Sequence, residues 1–464
     1  MNIRIAILIV GFAAVGCTKH NPAVCCNTPT QCSSFGLDGV TGCDTGKVCD
    51  SDGACISPQC ASSAECANAT PYCSSAGLCE MACTTDSECP GGGQTANQIH
   101  CSGGACVECA DAADCPATAP VCASSACRIC QQNSECASEV CATDGTCVAA
   151  DMIAYVDSAG SDGADCSQAT PCSLSHGTSL GRTYTVMAPG TYQVTQAVTL
   201  AGTRWLIGNG AQPSVSRTTP GPIVSIGGAS HVQISNVLFS GAKNTSATSY
   251  DGSAIQCASV TSTLDLTDVV ATGNAYFGVD ASSCGVTATR SAFTHNGDSG
   301  IFVLDNPATF DRCDFYRNGG DGLAFDGTLL QATNSFFTGN TRNGAIVSTQ
   351  TVGGKIEFST AAGNVKNGIE IGLPASVSFQ LSNDLAAGNV MNPVECDGGT
   401  CPQPGSIVMG MDSSTAHFVS GFDFHITAGS VAIDAAAGGT LDHDFDGDVR
   451  PKGAARDVGA DEAQ

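Results

Sequence analysis

Between Asn274 and Ile369 one phrase returns every 22 to 24 residues: an asparagine, three intervening residues, then glycine followed by an apolar residue. Its five copies are Asn274/Gly278-Val279, Asn296/Gly300-Ile301, Asn318/Gly322-Leu323, Asn340/Gly344-Ala345 and Asn364/Gly368-Ile369. A fixed period with strand-like alternation between the marks is the signature of a solenoid, and this length fits one coil of a parallel β-helix. Stacked strands lie ~4.8 Å apart, so equivalent residues of successive coils touch. An amide side chain both donates and accepts, which lets stacked asparagines satisfy one another at a turn where backbone groups would be orphaned. Three residues before each asparagine stand Ala271, Phe293, Phe315, Phe337 and Ala361, an expected interior stack. Leu266, Ala288, Phe310, Ala332 and Ile356 alternate with Asp265, Thr287, Thr309, Gln331 and Lys355, which places the first set inside and the second in water. One member of the pattern, Phe315 to Gly327, contains Gly-Gly-Asp-Gly and imitates a calcium-binding repeat. Such repeats need Asp where this chain has Ala324, and their period is nine. Asn318, Phe315 and Gly322 are therefore read as rungs of structural columns.

The rest of the chain has a different character. Of 30 cysteines, 23 fall between Cys17 and Cys147. A four-cysteine phrase recurs there, with five residues between its first two cysteines at Cys26/Cys32, Cys60/Cys66, Cys83/Cys89, Cys109/Cys115 and Cys130/Cys136. Repeats this small and this poor in large apolar residues need covalent staples. Without Cys17, 22 cysteines remain, compatible with 11 bridges of unspecified connectivity. Cys106-x₂-Cys109 and Cys127-x₂-Cys130 match a zinc-ribbon template, but the equivalent junctions drift to x₄ at Cys55/Cys60 and x₃ at Cys79/Cys83. Metal ligands need constant spacing, so disulfides are the better reading.

Oxidised cysteines require export, and the start of the chain is built for it. MNIRIAILIVGFAAVGC carries a basic Arg4, an apolar run from Ile5 to Val15 too short to span a bilayer, and small residues before Cys17. Ala14-Val15-Gly16-Cys17 resembles the lipobox of bacterial lipoproteins, with Ala14 where Leu is usual. That resemblance implies a lipid anchor on Cys17 and, with Thr18 following, an outer-membrane or cell-surface address; the alternative is ordinary cleavage with Cys17 in a disulfide. Asp and Glu outnumber Lys and Arg 43 to 17, a net charge of −26. Nucleic acid is excluded as a partner, because phosphate binding relies on basic residues releasing counterions.

The expected organisation is a signal segment 1–16, a cysteine-rich region 17–149 with little regular structure, and an all-β, single-stranded parallel β-helix over 150–464 with a C-terminal closure from about 430. Residues 17–149 resemble the Cys-rich repeats of myxobacterial surface proteins and, loosely, the Dickkopf cysteine-rich domain. From Asp151 onward the chain resembles right-handed parallel β-helix proteins of the pectin-lyase-like superfamily. The motifs that carry this are Tyr155-Val-Asp, Cys166, Pro171-Cys172 and Pro189-Gly-Thr-Tyr192 at one end, and Ala432-Ile-Asp with DFDGDVRPKGAARDVGADE to Glu462 at the other. The resemblance implies local disulfides Cys166/Cys172 and Cys396/Cys401, a pairing of Cys257 with Cys284, a buried free Cys313, and an Arg450–Asp457 pair in the closure.

Two kinds of site follow. A column of Asp268, Arg290 and Arg312, with His295 and Arg317 nearby, offers a base, a carboxyl and an arginine for a substrate acid, as a polysaccharide lyase or hydrolase would use. The plain alternative is an exposed salt-linked ladder of little energetic weight. The strands after the repeated glycines point Asp280, Phe302, Ala324, Ile346 and Glu370 outward, an apolar strip flanked by acids that suits docking of a glycan or surface protein. No cofactor is required. Asp442, Asp444 and Asp446 alternate like the first half of a calcium loop, although Gly453 stands where a bidentate Glu would be needed. The chain is expected to be a surface binding or structural module, with the enzyme as the alternative.

Overall fold

The computed structural model describes residues 100–463 apart from 103, 104, 247, 260, 349–352, 375 and 399, together with 48–49, 55–58, 72–73 and 79–80. The signal segment 1–16, Cys17 and most of the repeats before residue 100 lie outside the described residues. The chain divides into two compact units at Cys147/Val148.

In the first unit each repeat closes in a minimal antiparallel hairpin whose third and fourth cysteines face each other, as Cys49↔Cys55, Cys73↔Cys79 and Cys122↔Cys127 do. In the two repeats whose bridges are described, these run from first to third and from second to fourth cysteine: Cys109–Cys122 with Cys115–Cys127, then Cys130–Cys141 with Cys136–Cys147. This connectivity was not readable from spacing. An acid just before the second cysteine caps the short turn between the first two. Asp114 Oδ2 accepts the Ala110 and Asp111 amides, and Glu135 Oε2 accepts that of Gln131 at 2.7 Å. The cysteine positions that resembled a zinc ribbon are thus occupied, where described, by disulfides.

The second unit is an all-β parallel solenoid. Each coil contributes three strands, one per face, and each strand pairs in parallel with its counterpart one coil on. Following the repeated glycines, Val279↔Ile301↔Leu323↔Ala345↔Ile369↔Val394 run in one register. On the next face Leu266↔Ala288↔Phe310↔Ala332↔Ile356 are all buried, as their alternation predicted. A third, ten-stranded sheet carries Ala271↔Phe293↔Phe315↔Phe337↔Ala361 inward. Phe315 stacks on Phe293 at 5.4 Å and on Phe337 at 4.9 Å between ring centroids. Burying each such ring stabilises the coil by about 2–3 kcal/mol.

Side-chain ladders satisfy the turns. Asn274, Asn296, Asn318, Asn340 and Asn364 each donate Nδ2 to the Oδ1 of the next rung at 2.8–3.1 Å, and the ladder extends to Asn389. Each Oδ1 also accepts the backbone amide of the preceding rung, for example Asn296 N to Asn318 Oδ1 at 3.1 Å. The glycine four residues on is demanded by this packing: a Cβ at Gly322 would lie 2.4 Å from the Gly344 carbonyl and 2.8 Å from Asn340 Nδ2. A further ladder runs through Cys313, Ser335, Ser359 and Asp384, each accepting the amide of the rung before it from Ser335 onward. Cys313 is a buried, free member of that column, and burial pushes its thiol up to about 12.

Disulfides Cys166–Cys172, Cys257–Cys284 and Cys396–Cys401 are present. Residues 430–462 form the closure. There Arg450 is fully buried and its guanidinium donates to Glu462 Oε2 at 3.0 Å and to the carbonyls of Asp457, Gly459 and His443. The expected Arg450–Asp457 charge pair is corrected on this point: the carboxylate partner is Glu462, and Asp457 offers only its backbone oxygen. No described helix is long and apolar enough to cross a membrane.

Candidate functional site

The charge columns lie at the two corners that flank the ten-stranded sheet. Asp268, Arg290 and Arg312 share a column with Asn334, Phe358 and Asn383, and all six are left-handed, with φ between 47° and 57°. His295 and Arg317 share another with Gly273, Gly339, Gly363 and Gly388, again left-handed at φ 53–67°. Their alignment reflects a recurrent corner conformation. The side chains are also engaged: Arg290 forms a two-pronged pair with Asp268 at 2.7 and 2.8 Å, and Arg312 bonds Asp311 at 3.1 Å. Asp311 in turn contacts His443 at 3.4 Å, and Gly447 lies against the Arg312 guanidinium. The closure therefore covers this column, and the five residues do not converge on one cleft.

Arg317 does line a cavity. A hairpin of Phe418–Ser420 and Asp423–Ile426 folds over the outer side of the ten-stranded sheet and roofs a space of about 600 Å³. The floor exists because the column that holds His295 and Arg317 changes to glycine at Gly339, Gly363 and Gly388. A Cβ at Gly363 would meet the Phe424 ring at 2.9 Å, so the hairpin could not seat there on a larger residue. Glycine also takes φ near 65° without the cost that a side chain incurs. Around this floor stand Tyr316, Arg317, Ser413, Ser414, His417, Phe418, Ser420 and Phe422. The Arg317 guanidinium lies 4.3 Å from the Phe422 ring centroid and 5.0 Å from that of Tyr316, while Phe422 itself is 71% exposed. His295 stands edge-on to Tyr316 at 5.5 Å.

Beside this cavity two smaller ones share His425. One of about 280 Å³ is lined by Asp314, Phe336, His425 and Phe445. Burial pushes the Asp314 carboxyl up to about 7. The other, of about 390 Å³, is lined by Asp423, His425, Asp446 and Asp461. His425 Nδ1 donates to Asp423 Oδ1 at 2.6 Å, and its Nε2 lies 3.3 Å from Asp446 Oδ2. Burial raises Asp461 to about 6, with the charges of Asp444 and Asp446 adding to the shift.

Asp442, Asp444 and Asp446, the calcium candidates, have separate surroundings. Asp442 turns to His443 at 2.7 Å in full exposure, while buried Asp444 spends both oxygens on the amides of Asp448 and Glu462. Only Asp446 is left to join other ligand groups, those of His425 and Asp461. The strip expected to face outward is partly buried. Asp280 stands in register with Phe302, Ile346 and Glu370 but is only 8% exposed and accepts the Ser282 hydroxyl. Phe302 is half-buried and stacks on Phe277 at 5.3 Å, and Glu370 receives Asn367 Nδ2. Apart from buried Asp280, the residues of the strip are half-buried. The hairpin cavity was not anticipated; the switch from His295 and Arg317 to three glycines at one register was its only trace in the repeats.

Fold and site together describe a right-handed parallel β-helix whose C-terminal closure builds a covered groove on one sheet. Residues 222–384 match the family described as a right-handed beta helix region. Among solved structures, the chain is similar to pectate lyase Pel9A at 14% identity, covering 67% of this chain and 96% of that one with a TM-score of 0.47. It is similar to ORF18 of Geobacillus virus E2 at 15% identity, 55% and 60% coverage and TM-score 0.34. The A-module of the Azotobacter vinelandii mannuronan C-5 epimerase AlgE6 aligns at 14% identity, over 49% of this chain and 86% of that one, with TM-score 0.24. No curated protein matches the sequence.

Proposed function

We propose that the protein is a lipid-anchored cell-surface module, held by Cys17, whose β-helix binds a glycan in the cavity under the 418–426 hairpin. The observation that carries this is the lining of that cavity: Tyr316, Phe418 and Phe422 together with one arginine, Arg317, and the serines Ser413, Ser414 and Ser420. Aromatic faces pack against the C–H faces of sugar rings, hydroxyls bond their polar edges, and Arg317 suits a sugar carboxylate in two-pronged fashion. A binding role is favoured over hydrolysis or lyase chemistry because Arg290 and Arg312 are tied to Asp268 and Asp311 and no longer available to a substrate. Protein ligands are the competing occupants. An exported, oxidised location is consistent with the disulfides.

The enzyme remains the second reading for one reason: Asp314, whose pKa burial raises to about 7, lines the adjoining cavity and could donate a proton. Calorimetry of the oxidised protein against uronic-acid polysaccharides, with a parallel assay for new unsaturated or reducing ends, separates the two. Binding without new chain ends is expected, with Arg317→Ala and Phe422→Ala each weakening it about tenfold, or ~1.4 kcal/mol. Chain cleavage abolished by Asp314→Asn would replace the binding reading with the enzymatic one; affinity unchanged in Arg317→Ala would remove the cavity as the site.

A further inference from the structure

His425, Asp446 and Asp461 come from three separate segments: the second strand of the hairpin, the loop after Asp442, and the last residues of the chain. One ligand atom from each lies within 4.8 Å of the other two. Three features distinguish this set from an ordinary acidic patch. First, His425 Nε2 is buried yet has no hydrogen-bond partner. Second, Nδ1 is committed to Asp423 at 2.6 Å, so in the neutral ring the proton sits there and Nε2 turns its lone pair toward the two carboxylates. A carboxylate behind a histidine is the arrangement that orients and strengthens a metal-binding imidazole. Third, Asp461 is only 7% exposed, and its Oδ2 accepts the Ile426 amide, which leaves Oδ1 for another partner.

We propose that His425, Asp446 and Asp461, oriented by Asp423, form a binding site for a zinc-class divalent cation. The spacing fits: bonds of about 2.05 Å at tetrahedral angles place ligand atoms about 3.3 Å apart. His425 Nε2 and Asp446 Oδ2 are 3.3 Å apart already. An imidazole nitrogen with two carboxylate oxygens suits zinc and its first-row neighbours, whereas calcium takes six to eight oxygens. The fourth position opens on the cavity of about 390 Å³, where water or a ligand oxygen can complete the shell. The cation joins hairpin and closure, so it should also hold the roof of the neighbouring cavity in place.

The test uses the full oxidised chain, stripped with chelator, so that the cysteines of the first unit are closed to metal. Zinc titration by calorimetry is expected to show a site that millimolar magnesium or calcium does not displace. Cobalt(II) in its place should give the intense visible bands of a tetrahedral centre. Asp446→Asn, at an exposed carboxylate whose loss does not threaten folding, should weaken zinc at least tenfold, and Asp423→Asn about 10–100-fold through the orientation of His425. The melting temperature of the unmutated protein should rise with zinc, and that of His425→Ala should not. If His425 serves only as an imidazolium between Asp423 and Asp446, zinc neither binds nor raises the melting temperature, and the proposal falls. It falls equally if zinc binds with unchanged affinity in Asp446→Asn and His425→Ala, or if calcium competes on equal terms.

Discussion

Asn318→Ala removes the middle rung of the asparagine ladder, and its cost can be worked from the four bonds that rung makes. Nδ2 donates to the Phe293 carbonyl at 2.9 Å and to Asn340 Oδ1 at 3.0 Å; Oδ1 accepts Asn296 N and Asn296 Nδ2, both at 3.1 Å. All lie in the dry interior, so water cannot replace what is lost. Asn296 Nδ2 keeps the Ala271 carbonyl and Asn340 Oδ1 keeps the Asn318 amide, but the Asn296 amide loses the acceptor it has. An orphaned buried group costs about 1–3 kcal/mol, and the other three lost bonds about 1 kcal/mol each, so the expected loss is about 4–6 kcal/mol. Asn318→Asp should be worse at neutral pH, because it turns a carboxylate oxygen toward the Phe293 carbonyl. Its folded-state pKa is then raised, so the deficit should shrink as pH falls. Denaturant unfolding measures the loss, and hydrogen exchange at the Asn296 amide locates it. Thr309→Ala, exposed on a neighbouring strand, is the control at about 0.5 kcal/mol or less. A loss below about 1 kcal/mol, or unchanged protection at Asn296, would refute the ladder as the element that satisfies this turn.

The closure should be equally sensitive. Arg450→Ala leaves Glu462 as a buried charge without its partner and frees three carbonyls, an expected cost of about 3–5 kcal/mol. Limited proteolysis should then cut within 430–462, and intact closure in the variant would contradict the assignment. A pH prediction follows from the groups under the hairpin. Asp314 is raised from 3.8 to about 7 and Asp461 to about 6, both chiefly by burial. Burial opposes the charged form of His425, yet its bond to Asp423 and the charges of Asp461 and Asp446 raise its pKa as well. A folded pKa above the unfolded one contributes stability that is complete below about pH 4 for the carboxyls and is lost as pH rises through 6 to 7. The melting temperature should therefore fall between pH 5 and pH 8, and Asp314→Asn, a permanently uncharged stand-in, should flatten that slope. An unchanged slope would show that Asp314 is ionised throughout.

The solenoid was legible because its physics is local and repeated. Each coil must present the same residue to its neighbour, so Asn318, Phe315 and Gly322 announced their roles through copies 22 residues away on either side. Where repetition weakened, reading failed. Asn389 continues the ladder but follows Asn364 by 25 residues, with Pro393 in place of the glycine. The column of Ser335, Ser359 and Asp384 escaped notice because different side chains perform one task, accepting an amide. The charged columns were visible in the sequence with two readings open: alignment of Asp268, Arg290 and Arg312 marks a left-handed corner that admits many residues, and their pairing and the cover over Arg312 depend on neighbours the period does not encode.

By itself, then, the sequence determined the period, the inward and outward sides of each strand, the turn ladders' main members and the need for disulfides in the first unit. These follow from nearest-neighbour contacts between like positions. The tertiary structure decided which cysteine bonds which, and that Glu462 is the partner of Arg450. It also decided that Phe422 meets Arg317 and that His425 meets Asp446 and Asp461. The first contact joins a non-repeating C-terminal segment to a coil about a hundred residues earlier, and the second is made within that segment. Nothing in a period specifies where a segment outside it will dock; the empty space over Gly339, Gly363 and Gly388 does.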